Sequence, residues 1–181
     1  MKKTILFLLI FPLWLTFSCN SESDPIKEII EVDPDNSKNA LLIGNWTLVS
    51  VEAISGNAML DIFGTVTNRD FVASGIELDA NLDFLGDPKS FTSTGKYQLM
   101  IEVTSGGSTG FIIDDFFGSG LWELNGDILT TTSDNVESLH NILELTNENL
   151  KIKTDVNFEF NEVNRKATIN GALIYSLEKN N

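Results

Sequence analysis

Thiol and imidazole, the two side chains most often used for nucleophilic and metal chemistry, occur once each in these 181 residues, at Cys19 and His140. A usual zinc site draws several ligands from Cys and His, so one of each does not assemble it. A Ser–His–acid triad would have to use His140, and the chain has no Gly-x-Ser-x-Gly elbow to present the serine. The sequence instead places His140 at a solvated strand position. Carboxylates are plentiful, and a glycosidase needs two of them across a cleft. Glu77, Asp79 and Asp83 share one parity of an alternating run, which puts them on the wet face of a strand. Asp114-Asp115-Phe116-Phe117-Gly118-Ser119-Gly120 joins two acids and two aromatics to flexible glycines. Calcium wants six or more converging oxygens, and the spaced acids of known calcium loops are absent here. The stretch reads either as a rim loop or as a strand end whose phenylalanines enter the core. These residue types predict no enzyme, no metal and no cofactor.

Cys19 has a context of its own. Lys2 and Lys3 precede an apolar run over residues 5–17, followed by Leu15-Thr16-Phe17-Ser18-Cys19. A charged start, a short apolar stretch and a small residue at the cut make a secretory signal. The run is short for a membrane span, and Pro12 interrupts it. A cut before a cysteine resembles the lipobox of bacterial lipoproteins. That resemblance implies a signal peptide over 1–18 and a Cys19 that becomes the acylated N-terminus. It also implies an outer-membrane lipoprotein of the bacterial cell envelope.

Charge narrows the partners. The chain carries 12 basic and 26 acidic side chains. Losing Lys2 and Lys3 with the signal leaves ten against 26, a balance of −16. Such a surface repels phosphate backbones and anionic headgroups, which argues against nucleic acid. Membrane attachment then falls to acyl chains, of which two or more are needed for a firm hold.

Residues 19–40 are rich in acid, Ser, Asn and Pro and poor in aromatics. Such a composition buries too little apolar surface to offset ordering entropy, and it reads as a flexible tether. Glu22-Ser23-Asp24 resembles the signal that sends lipoproteins of the Bacteroidota to the cell surface.

From Leu41 the period is two. Residues 76–84 alternate from Ile76 to Phe84, and Tyr97, Leu99 and Ile101 alternate with Gln98 and Met100. Ile152, Val156, Phe158 and Phe160 alternate with polar neighbours, and Ile169, Leu173, Tyr175 and Leu177 share a face. One wet and one dry face is the mark of antiparallel sheet. Asn125-Gly126 is a strong hairpin signal. Strands are predicted near 45–54, 66–72, 75–85, 91–104, 110–116, 120–125, 127–132, 138–145, 149–160 and 166–178, with room for a short turn over 56–64. So many sequential strands must curl or expose edges, and closing into a barrel removes them. The predicted fold is all-β, an antiparallel meander of about eight to ten strands over residues 41–181.

Gly44-Asn45-Trp46 opens the first strand as the Gly-x-Trp motif opens lipocalins. The segment from Gly120-Leu121-Trp122-Glu123-Leu124 through Asn125-Gly126-Asp127-Ile128-Leu129 resembles lipocalin-like domains of Bacteroidota lipoproteins, as does the segment from Leu143 to Ile152. The resemblance implies a calycin-type barrel. Classical lipocalins also carry an Arg over the motif Trp near the end of the last strand. Here Lys179 stands near that position, and no Arg follows Arg165. The Thr-Asp-Tyr loop motif is missing.

Candidate ligand-binding residues are Trp46, Tyr97, Phe116, Phe117, Trp122 and Phe158. For the two tryptophans, packing of the barrel floor is the favoured reading over a cavity lining. Cavity walls would come from the inward sets Ile76, Leu78, Leu82, Phe84, Tyr97, Leu99, Ile101, Val156, Phe158 and Phe160, with no cation among them. That list predicts a small apolar ligand rather than an anion. It equally fits a barrel filled by its own side chains that meets a protein partner in an envelope complex.

Overall fold

The computed structural model describes residues 34–103, 107–162 and 165–180. The expected signal peptide, Cys19 and the tether through residue 33 lie outside the described residues, as does the side chain of Phe160. The elements run α1 (Pro34–Leu42), β1 (Gly44–Ile62), β2 (Thr65–Gly86), β3 (Lys89–Val103), β4 (Gly107–Asp114), β5 (Ser119–Asn125), β6 (Ile128–Ser133), β7 (Val136–Leu145), β8 (Asn149–Glu162) and β9 (Arg165–Lys179).

All pairings are antiparallel, and the sheet closes on itself as a lipocalin-like meander barrel. Neighbours follow chain order except at β3, which takes both β4 and β5. Residues 96–103 of β3 pair with β4, and 90–92 pair with β5. The ring closes where β1 meets β9, from Trp46 opposite Lys179 to Ile62 opposite Arg165. Among the described residues β4 has a strand partner on one side only.

Tight turns explain how the meander folds back. Phe63 and Gly64 link β1 to β2, and Asp134 and Asn135 link β6 to β7. All four have positive φ, the conformation that matches a two-residue turn to the twist of its strands. Residues 56–64, which left room for a turn, therefore continue β1 almost to its tip.

Two expectations change. The tether was expected to reach residue 40, yet residues 34–40 belong to α1. Pro34 suits a first helical turn, where its missing N–H costs nothing. The carbonyls that a helix end leaves unpaired find donors in the barrel. The Trp46 indole N–H donates to the Leu42 oxygen at 2.8 Å, and the Lys179 ammonium to the Leu41 oxygen at 2.8 Å. Lys38 adds a 2.7 Å ion pair with Asp127 at the β5–β6 turn, and Leu42 is fully buried.

The second change concerns Ile76. The segments 66–72 and 75–85 form one strand, and its ladder to β3 slips between Ile76 and Asp79. Glu77 sits there at φ 50°. Such a bulge reverses which parity faces inward. Phe71 and Ala73 are buried before it, Ala80, Leu82 and Phe84 after it. Ile76, expected in the cavity wall, is 40% exposed on the outer face.

The described core runs through the strand interior, with Trp46, Leu82, Phe84, Phe91, Leu129 and Leu150 all nearly inaccessible. Every strand pairing and this core fall within the compact unit Val32–Asn181. That unit therefore carries what it needs to fold on its own.

Candidate functional site

Residues 115–118 carry the chain from β4 to β5, and they are pinned onto β3. The Asp115 N–H donates to the Gly95 oxygen at 3.1 Å, and the Ser93 N–H to the Gly118 oxygen at 2.7 Å. The Ser93 hydroxyl accepts from the Phe117 N–H at 3.2 Å. Asp115 and Gly118 both take positive φ to make the crossing, as does Gly95 beneath them. A side chain at Gly95 would strike the Asp79 carbonyl on β2. This fixed loop lays both phenylalanines across the barrel interior.

The rings they meet come from three strands. Phe116 lies 6.1 Å from Tyr97 of β3 and 5.1 Å from Tyr175 of β9, centroid to centroid. Phe117 lies 5.7 Å from Tyr175 and 4.7 Å from His140 of β7. The Phe116–Tyr97 and Phe117–Tyr175 contacts are edge-on and the other two tilted; edge-on aromatic pairs each add about 0.5–1.5 kcal/mol beyond burial. The Tyr97 and Tyr175 hydroxyls meet at 3.3 Å. Burial raises the pKa of both phenols, and for Tyr97 the neighbouring Tyr175 adds to the effect.

His140 is buried, which corrects its expected solvated position. Its Nε2 lies 2.8 Å from the Thr131 hydroxyl and its Nδ1 2.9 Å from the Thr154 hydroxyl. Burial lowers its pKa to about 4, so the ring is neutral at pH 7. A neutral imidazole has one N–H and one bare nitrogen. One threonine therefore accepts from the ring and the other donates to it.

A recess of about 250 Å³ opens beside this cluster. Phe116, Phe117, Val136 and Leu139 give its apolar wall, and His140, Thr131 and Thr154 its polar floor. Ser133, Ser138 and Asp155 complete its lining. A second concavity of about 390 Å³ lies beside Pro88, Lys89, Leu121 and Trp122.

The expected site residues divide in space. Tyr97, Phe116 and Phe117 share the aromatic cluster. Trp122 packs edge-on to Phe84 at 5.9 Å, and its indole N–H donates to the Leu85 oxygen at 2.9 Å. Trp46 is sealed beneath α1 and Lys179. Phe158, on β8, is half-buried against the core. Thr131, Thr154 and Tyr175 join the site without having been named as candidates, and His140, set aside in the sequence as a solvated histidine, joins it with them. A signal existed for Tyr175, which shares its parity with Leu173 and Leu177. Among the described residues no group of three His, Cys, Asp or Glu side chains converges as metal ligands.

No protein-family profile, curated protein or solved structure matches the chain.

Proposed function

We propose that this chain is a lipid-anchored envelope protein whose lipocalin-like barrel binds a small apolar molecule without transforming it. The observation that carries the binding is the recess beside Phe117 and His140, with an aromatic wall and a few fixed polar groups. Ligand sites generally have that make-up. An apolar cavity of roughly 150 Å³ already holds benzene, so 250 Å³ suits one ring with a short substituent.

Two features support binding without catalysis. An imidazole with a pKa of about 4 is a weak base at neutral pH and activates the Thr131 hydroxyl poorly. Both of its nitrogens are also occupied by threonines. The anchor rests on Cys19 and its lipobox-like flank, which support reading the chain as an outer-membrane lipoprotein.

A rival reading, a solid barrel that meets an envelope partner, draws on the tight filling around Trp46, Phe84 and Phe91. Titration of the Val32–Asn181 unit with an environment-sensitive apolar dye separates the two. Saturable binding that a Phe117→Ala substitution weakens supports the recess. Absence of saturable binding supports the solid module.

A further inference from the structure

The recess has a charge asymmetry that apolarity alone does not require. Its lining contains no Lys or Arg, and its one ionisable group besides His140 is Asp155. Asp155 lies on the exposed face of β8, one residue beyond Thr154, which is bonded to His140. Among the described residues no salt bridge engages it; Lys151 and Lys166 bridge to Glu144 and Glu159 instead. Lys153 is the nearest cation along the strand, and it is registered opposite Asn141 on β7.

The floor is neutral, because burial keeps His140 uncharged and both threonines contribute only hydroxyls. Phe116 and Phe117 make the aromatic part of the wall. Ring faces attract cations through their quadrupole, and this adds to a carboxylate at the rim. The whole chain carries a formal charge of −14, which raises the local concentration of cations and depletes anions.

We infer that the ligand of this recess is a small ring bearing a protonated amine, its ring against Phe117 and its ammonium at Asp155. This rests on the recess being the binding site and names the chemistry it selects. A carboxylate of the same shape meets Asp155 and an acidic surface with no cation to receive it. A neutral ring binds through the wall alone.

The test uses the Val32–Asn181 unit with three probes of one shape: phenethylamine, phenethyl alcohol and phenylpropanoate. His140 is the only histidine in the chain, so its ring proton resonances report occupancy of this one site. At low salt the amine should bind about three- to fivefold more tightly than the alcohol, the scale of a partly exposed charge pair, and the acid should bind weakest. High salt should close the gap between amine and alcohol. Asp155→Asn should abolish the amine's advantage and leave the alcohol's affinity unchanged. An amine that binds no tighter than the alcohol, or whose advantage survives Asp155→Asn, overturns the inference while the recess stands. If none of the three probes moves the His140 signals, the recess itself is not a binding site and both readings fail.

Discussion

The ammonium of Lys179 lies 4.9 Å from the centroid of the Trp46 ring while donating to the Leu41 carbonyl at 2.8 Å. One side chain thus ties the end of β9 to the start of β1 and to the last turn of α1. Burial lowers the Lys179 pKa, a sign that the ammonium gives up water for these partners.

Lys179→Ala removes the ring contact and leaves the Leu41 oxygen without its donor. The expected loss is about 1–2 kcal/mol, from a cation over an aromatic face plus a charge-assisted hydrogen bond at a helix C-terminus. Lys179→Arg keeps both contacts and should retain most of the stability. Urea denaturation of the three forms measures the difference.

His140 makes stability depend on pH in a defined window. Its folded pKa is about 4, below the ordinary 6.5, so between these values the unfolded chain binds the proton more readily. Stability contributed by the neutral ring is complete above about pH 6.5 and drains away as pH falls toward about 4, then levels off. At about 1.4 kcal/mol per unit over this window, the loss should be about 3–4 kcal/mol. His140→Gln should show a shallower fall over the same range. An NMR titration should find the wild-type ring still neutral at pH 5.

Neighbouring residues of β8 should respond oppositely to the same change. Phe158 packs against the core and Asn157 is exposed. Phe158→Asp forces a carboxylate against apolar neighbours and should cost several kcal/mol, on the order of 3. Asn157→Asp should stay within about half a kcal/mol. Equal melting shifts would contradict the alternation of faces along this strand.

Cys19→Ala should free the protein from the membrane and leave the barrel folded. With so acidic a chain, no basic patch would replace the proposed acyl anchor. Cell fractionation tests the first half, and the circular dichroism of the released protein tests the second.

Period-two alternation made the strands and the all-β class readable, because half-buried antiparallel strands write their two faces into the sequence. Ile76 defeated that reading. Its alternation with Glu77 is regular, but the bulge is a backbone event and reverses the faces without leaving a mark in the hydrophobic pattern. His140 was hidden by its neighbours: Leu139 and Leu143 are apolar yet exposed, so the parity of β7 could not be assigned. The helix was masked by composition, since Pro34-Asp35-Asn36 looks like linker. Its stability comes from Trp46 and Lys179, one of them far away in sequence. The recess was legible only as the pair Phe116 and Phe117; its polar floor required the register between β6, β7 and β8.

The seam between β1 and β9 also sets an order of events. On the edge of β1 that faces away from β2, fifteen positions from Trp46 to Ile62 pair with residues 165–179. A chain delivered N-terminus first has nothing to place against that side of β1 until its last strand arrives. Meanwhile the facing edges of β1 and β8 and the apolar interior stay open, and the long loop to be closed makes the final step slow, on the scale of milliseconds to seconds for sheet-rich domains. A partly delivered polypeptide therefore cannot lock prematurely. The interval just before β9 docks is therefore the one in which the barrel interior is most exposed.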